Sequence, residues 1–294
     1  MYSLLNRINT RLHLFMTVPA ALLYGIFFIY PLIQGIGISM TDSNGVTEPN
    51  FIGLQNFIEF FNDDRAKGAL MNTIYFAVGS APLLNIFGLA YALFLDQNIR
   101  GRTFIRTIVY MPAVISPLIM GYIWYFIMQP QRGFLYHVLE SMHLGFLNGN
   151  WLADSSTALN VIIMVNVWQF VGMTMIIYLA GLQGIPGELY EASKIDGAGY
   201  LARLRYVTIP MLYPAIKINV VTNIIGSLAV FEIIMAMTEG GPGYATESMS
   251  IFIMRMMYGS FTGYSTAVAL IMFVVIVIPV FIFLRATKSK EMEM

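Results

Sequence analysis

Apolar residues run through six long stretches, about Leu14 to Met40, Ala69 to Leu95, Thr103 to Met128, Thr157 to Leu182, Tyr213 to Met235 and Phe261 to Leu284. Each is long enough to cross a hydrocarbon core of roughly 30 Å as an α-helix. Polar residues collect between them, most densely from Glu188 to Pro210, ELYEASKIDGAGYLARLRYVTIP. This connection reads as a short helix, a turn and a second helix. Pro186 suits a first-turn position, Glu188 and Glu191 favour the positive end of a helix dipole, and Asp196-Gly197 offers a left-handed residue that stops the first helix. The second helix is expected from about Tyr200 to Pro210. Between them Ala192, Ser193, Gly197, Ala198 and Gly199 leave a narrow knob whose backbone another protein can approach closely.

Composition agrees with a membrane protein: 57% of residues are hydrophobic, 11% are charged and the mean hydropathy is +0.70. A soluble domain with this content aggregates, and little chain remains for one. The first stretch is too long for a removable signal peptide, with Arg7 and Arg11 as an anchor's flank. The reading is an all-α membrane protein with six transmembrane helices in a single domain, residues 1–294.

The formal net charge of zero hides an asymmetry across the membrane. One set of alternate connections holds Arg7, Arg11, Arg100, Arg102, Arg106, Lys194, Arg203, Arg205, Arg285, Lys288 and Lys290; the other holds only Arg65, Lys67, Arg132 and Arg255. Positive residues stay inside, so both termini and the 186–210 connection are expected in the cytoplasm. Nothing here points to nucleic acid. There is no Cys, which removes disulfides and thiolate chemistry. His13, His137 and His143 lie far apart and form no metal-ligand pair, and no phosphate-binding loop with a Gly-Lys pair occurs, so the chain does not hydrolyse ATP. No clustered acid, base or nucleophile suggests an enzyme.

Polar groups inside spans are costly and face a cavity or a partner. Asn166, Gln169 and Met173 share one face of the fourth stretch, and Asn219, Asn223 and Ser227 form an i, i+4, i+8 stripe on the fifth. Amides and hydroxyls suit sugar hydroxyls, whereas a charged substrate calls for Arg or Lys, and neither stripe carries one. The bland alternative is that the Asn and Ser side chains hold helices together, as polar residues do in bilayers. Trp124, Trp151 and Trp168 read as packing or interface residues. Glu232 reads as an outer gate or partner contact, and Lys217 as a snorkelling side chain. An ion-coupled secondary transporter would show carboxylates deep in its spans, and only Glu232 lies near one end.

The 186–210 connection resembles the EAA loop of ABC importer permeases: Glu-Ala-Ala, a Gly four residues later, then nine residues and Ile-x-Leu-Pro. Glu191, Ala192, Ser193, Gly197, Val207, Ile209 and Pro210 stand at those positions, with Ser193 in place of the second Ala. Arg100-Gly101-Arg102 to Tyr110-Met111-Pro112, the entry Ile185-Pro186-Gly187-Glu188-Leu189-Tyr190-Glu191, and Thr238-x-Gly240-Gly241-Pro242 extend the resemblance over essentially the whole chain. It is similar to the carbohydrate-uptake branch, the MalF/UgpA-like permeases. The resemblance implies a type I importer permease fold with cytoplasmic coupling helices, in a bacterial or archaeal cytoplasmic membrane. It implies that Glu191, Ala192, Ser193, Asp196, Gly197, Ala198 and Pro210 couple to an ATPase. It also implies that Asn166, Gln169, Met173, Asn223, Gly226, Ser227 and Val230 line the substrate pathway. Implied partners are a second related permease, cytoplasmic ABC ATPase subunits that hold ATP and Mg, an extracytoplasmic solute-binding protein and a sugar; this chain would bind no cofactor. A non-sugar solute such as a glycerol phosphate or a polyol is the alternative cargo.

Overall fold

The computed structural model describes Phe15 and residues 17–287, apart from the Leu147 side chain. The expected start of the first span at Leu14, His13, and the basic residues Arg7, Arg11, Lys288 and Lys290 lie outside the described residues. The helices are α1 (Thr17–Ser39, with a π-helical turn at Gly25–Ile29), α2 (Gln55–Asn62), α3 (Asp64–Asp96), α4 (Arg102–Val114) and α5 (Pro117–Ile127). They continue with α6 (Phe134–Ser141), α7 (Ala158–Gln183), α8 (Gly187–Ile195), α9 (Tyr200–Met211), α10 (Tyr213–Leu228), α11 (Glu232–Met237), α12 (Met249–Tyr258) and α13 (Thr262–Thr287). Four of these, α1, α3, α7 and α13, are long and apolar enough to cross a membrane; α4 with α5, and α9 with α10, are bent pairs that make six if each counts as one span.

The described residues gather into two compact units. One holds those up to Asn62 together with Ile253–Ile271. In it an isolated bridge joins Thr41 to Phe51, and the buried Asn56 amide donates to the carbonyls of Ser39 and Thr41 at 2.8 and 2.9 Å. Those carbonyls lie at and just beyond the C-terminus of α1, where helix carbonyls lack intrahelical partners.

The other unit comprises Asp63–Phe252 together with the described residues from Met272 onward, and its core is α3 against α7. Phe76, Leu84, Ala92 and Leu95 of α3 are buried, as are Ile162, Val165, Met175, Tyr178 and Leu182 of α7. Small residues let the two backbones approach: a Cβ at Gly88 would come within 2.5 Å of the Thr174 methyl. Close approach of this kind drives helix association where lipid is as apolar as the side chains. Tyr178 also donates to Asn85 Oδ1 at 2.7 Å.

Two expected spans are broken. The Thr103 to Met128 stretch is two helices bent by 97°, because Ser116 precedes Pro117 and takes an extended ψ of 136°, as steric clash with a following proline requires. In the fifth stretch the helix stops at Leu228, and Phe231 (φ −141°, ψ −64°) leads into the short α11. Preceding it, α9 does not end at Pro210 but continues to Met211, and the chain turns by 70° into α10, whose first turn holds Pro214. A proline in a first turn loses nothing, since that N–H has no intrahelical partner. Breaks at membrane depth free carbonyls that must be satisfied by protein. Ile115 O accepts from the Gln169 side chain at 3.0 Å, and Val230 O accepts from Ser248 Oγ at 2.9 Å.

Candidate translocation cavity and coupling connection

Both helix breaks open onto one cavity of about 440 Å³. From α7 it is lined by Asn166, Phe170, Met173 and Thr174, and from α10 by Asn219, Thr222, Asn223, Gly226 and Ser227. Pro117 at the first break and Val230, Phe231 and Glu232 at the second also line it. Its polar groups are neutral amides and hydroxyls except for Glu232, and it holds no Lys or Arg.

Of the seven residues expected on the pathway, Asn166, Met173, Asn223, Gly226, Ser227 and Val230 line this cavity. Gln169 does not: it is fully buried and turned to the α4/α5 break, holding Ile115 O while its own Oε1 lacks a partner. Three residues apart on a helix is near but not identical azimuth, and the freed carbonyl took the amide. The amide stripe of α10 also fastens helices together. Asn219 Nδ2 donates to Thr174 O at 3.2 Å, Asn223 Nδ2 to Thr174 Oγ1 at 3.3 Å, and Ser80 Oγ of α3 to Ser227 Oγ at 2.7 Å. Lining and gluing are therefore the same side chains. Thr174, Thr222, Phe170 and Phe231 carry no pattern in the sequence that separates them from ordinary span residues, and only packing brings them to the wall.

Beside the second break, the segment Thr238–Ser248 is clamped down. Arg65, in the first turn of α3, forms a two-pronged ion pair with the fully buried Glu247 at 2.7 and 2.8 Å. Its guanidinium lies 3.9 Å from the centre of the Tyr244 ring. Asn72 donates to the carbonyls of Tyr244 and Glu247 at 3.1 and 3.2 Å. Ser248 thereby keeps its hydroxyl on Val230 O, so the clamp fixes part of the cavity wall. The two partners of this clamp stand 182 positions apart in the chain.

In the 186–210 connection, Pro186 stands just before α8 (ψ 130°) rather than inside its first turn. After Ile195 the chain closes with Gly197 N–H on Lys194 O at 3.0 Å and Ala198 N–H on Ser193 O at 2.9 Å, with Gly197 at φ +79°. This is the paired C-terminal bonding that glycine favours. Ser193 is buried, donating to Tyr190 O at 2.8 Å, and the Tyr190 and Thr208 hydroxyls lie 3.1 Å apart, tying the two arms. Glu191, Ala192, Asp196 and Gly197 are exposed, and Ala198 and Pro210 are half-buried. Around them Ile195, Leu201 and Tyr206 are 86%, 76% and 72% exposed, an unusual density of bare apolar side chains on a polar connection.

Comparison with known proteins decides what this architecture is. The profile of the family described as "Binding-protein-dependent transport system inner membrane component" matches residues 84–290. The chain belongs to this family. Among curated relatives, the permease is 34% identical over 277 residues, 94% of each chain, to the probable starch degradation products transport system permease protein AmyD of Thermoanaerobacterium thermosulfurigenes. It is 30% identical to the trehalose/maltose transport system permease protein MalF of Thermococcus litoralis, over 96% of each chain. Its fold matches, with a TM-score of 0.81 at 24% identity and over 97% of this chain and 98% of the other, the crystal structure of a bacterial ABC transporter involved in the import of alginate. The permease is thus a helical, multi-pass membrane component of an ABC transport system. Among the described residues no group of three or more His, Cys, Asp or Glu side chains could hold a metal ion.

Proposed function

We propose that this permease carries a neutral disaccharide or short oligosaccharide inward, handed over by an extracytoplasmic binding protein and driven by separate ATPase subunits. The observation that carries the reading is the cavity wall, in which Asn166, Asn219, Asn223, Thr174, Thr222 and Ser227 offer paired donors and acceptors beside Phe170 and Phe231. Sugar hydroxyls need both roles from their partners. A glycerol phosphate would leave its charge facing Glu232 with no Lys or Arg in the wall, so the sugar is favoured. The carbohydrates named for the starch-product and trehalose/maltose relatives agree with this choice.

In the same reading the exposed face of Glu191, Ala192, Asp196 and Gly197, with Ile195 and Leu201, docks in a groove of the ATPase, which holds ATP and Mg. The bias of Lys and Arg supports a cytoplasmic position for this connection and both termini, and in this reading a second related permease would supply the other half of the pathway. Closure of the ATPases would then be transmitted through α8 and α9, opening the cavity outward. The experiment is affinity purification of the tagged chain from its own membrane in mild detergent, with mass spectrometry of what accompanies it, followed by uptake of labelled maltose and trehalose by the reconstituted assembly. A second permease, an ATPase and a solute-binding protein, with ATP-dependent sugar uptake, is the expected result. A functional chain purified without any ATPase, or uptake of a phosphorylated solute in place of sugars, overturns it.

A further inference from the structure

Beyond the cavity, the connection after α5 closes around a second recess of about 210 Å³. Gly133 lets the chain fold back at once, since a Cβ there would stand 2.6 Å from Gln129 O and 2.7 Å from Gln129 N. Gln131 takes a left-handed φ of 63°, and the Trp151 indole nitrogen lies so close over Gly149 that a Cβ there would meet it at 2.9 Å. The recess is lined by Gln129, Gln131, Tyr136, Asn148, Asn150 and Trp151, with no charged side chain in its wall. Asn148 is oriented by donating to Glu140 Oε1 at 3.0 Å. The amides of Gln129, Gln131 and Asn150 have no hydrogen-bond partner among the described residues.

Four neutral amides and two aromatic rings around a space below the usual range for drug-sized ligands suit one sugar ring: amides for hydroxyls, ring faces for C–H surfaces. The intramembrane cavity has the same chemistry, and both belong to one unit. They are linked by α5, which begins at Pro117 in the cavity wall and runs eleven residues to Met128 at the recess, about 16 Å of helix. We propose that this recess is an outer carbohydrate subsite, which holds one sugar unit of the cargo on the binding-protein side before it enters the cavity. The assignment rests on the carbohydrate reading above.

Ligand-observed saturation-transfer NMR with maltose and trehalose tests it, on the whole importer in nanodiscs without its binding protein. Gln131→Gly removes an amide at no backbone cost, because glycine accepts positive φ. Trp151→Ala removes a ring face and Trp151→Phe keeps one. Gln131→Gly and Trp151→Ala are each expected to weaken sugar binding about fivefold to tenfold, with Trp151→Phe much less affected. Asn223→Leu in the cavity wall is expected to remove the cavity's share of the signal and leave the recess's share. Gel filtration with the ATPase subunits checks assembly, and if Trp151→Ala does not assemble, Gln131→Gly alone decides. Undiminished sugar binding in the recess variants, or loss of all binding in Asn223→Leu, overturns the subsite while sugar uptake by the unaltered importer leaves the carbohydrate reading standing. If the unaltered importer neither binds nor takes up either sugar, that reading falls and the subsite with it.

Discussion

Gly172 and Gly197 show how differently the cavity region and the coupling connection use the same residue. A Cβ at Gly172 would overlap Val109 O and stand 2.7 Å from Tyr110 Cα, so this glycine is the point where α4 crosses α7. At Gly197 nothing lies within 4 Å, and glycine is required by a φ of +79° alone. The cavity region is tightly packed, with Gln169, Asn219, Asn223 and Ser227 bonded across helices. The coupling connection is a self-bonded turn that leaves its apolar side chains bare. One region resists displacement; the other leaves its face open, and in the proposed function that face is the one an ATPase grips, with α8 and α9 carrying the motion.

The comparison breaks most completely at Gly172. Gly172→Ala is expected to cost about 3 kcal/mol of stability, because overpacking here meets backbone rather than a movable side chain; a lower melting temperature of the purified assembly and loss of uptake would be read together. At Gly197 the opposite split is expected. Gly197→Val leaves the amount of membrane-inserted chain unchanged but lowers ATP-driven uptake about a hundredfold, since a β-branched residue cannot hold this turn. Equal loss of inserted protein in both variants would erase the distinction drawn here.

A smaller effect is expected in the cavity wall. Asn223→Leu removes one interhelical hydrogen bond, worth about 1 kcal/mol in a bilayer, and a lining amide, so uptake falls about tenfold with melting little changed. Uptake falling only in proportion to stability would make Asn223 glue alone. The smallest effect concerns the connection that leads into α7. There the Ser156 N–H and hydroxyl, at 2.8 and 2.9 Å, hold the Asp154 carboxylate below its ordinary pKa. A depressed carboxylate stabilises above its unfolded pKa and ceases to as pH falls through the folded value. Hydrogen exchange at residues 151–157 is therefore expected to be flat, after correction for intrinsic rates, from neutral pH to about 4 and to rise only in stronger acid.

Much of the fold was legible because bilayers impose a strong rule: long apolar runs become helices, and every backbone group must be paired inside the protein. The Glu188–Pro210 connection was legible for a local reason, since Gly197 and the small residues around it determine a turn within a few positions. The Pro117 break was open to the same local reasoning, as prolines in spans are commonly accommodated, but only the packed chain bends there by 97°. Gln169 could not be read correctly, because its orientation depends on a carbonyl freed 54 residues earlier. Nor could the Arg65 clamp on Glu247, or the recess beneath Trp151, since both join residues that no helical period relates.

What the sequence by itself determined is the class: a chain of membrane-spanning helices with one dense polar connection and neutral amides within its apolar stretches. Local propensity and hydropathy suffice for that, because each acts over a few neighbouring residues. Only the tertiary structure decided which amides face the cavity and which are consumed in holding broken helices. That choice depends on where freed carbonyls and close-packed glycines meet across α3, α5, α7 and α10, and hydrogen bonds at that distance leave no periodic trace along the chain.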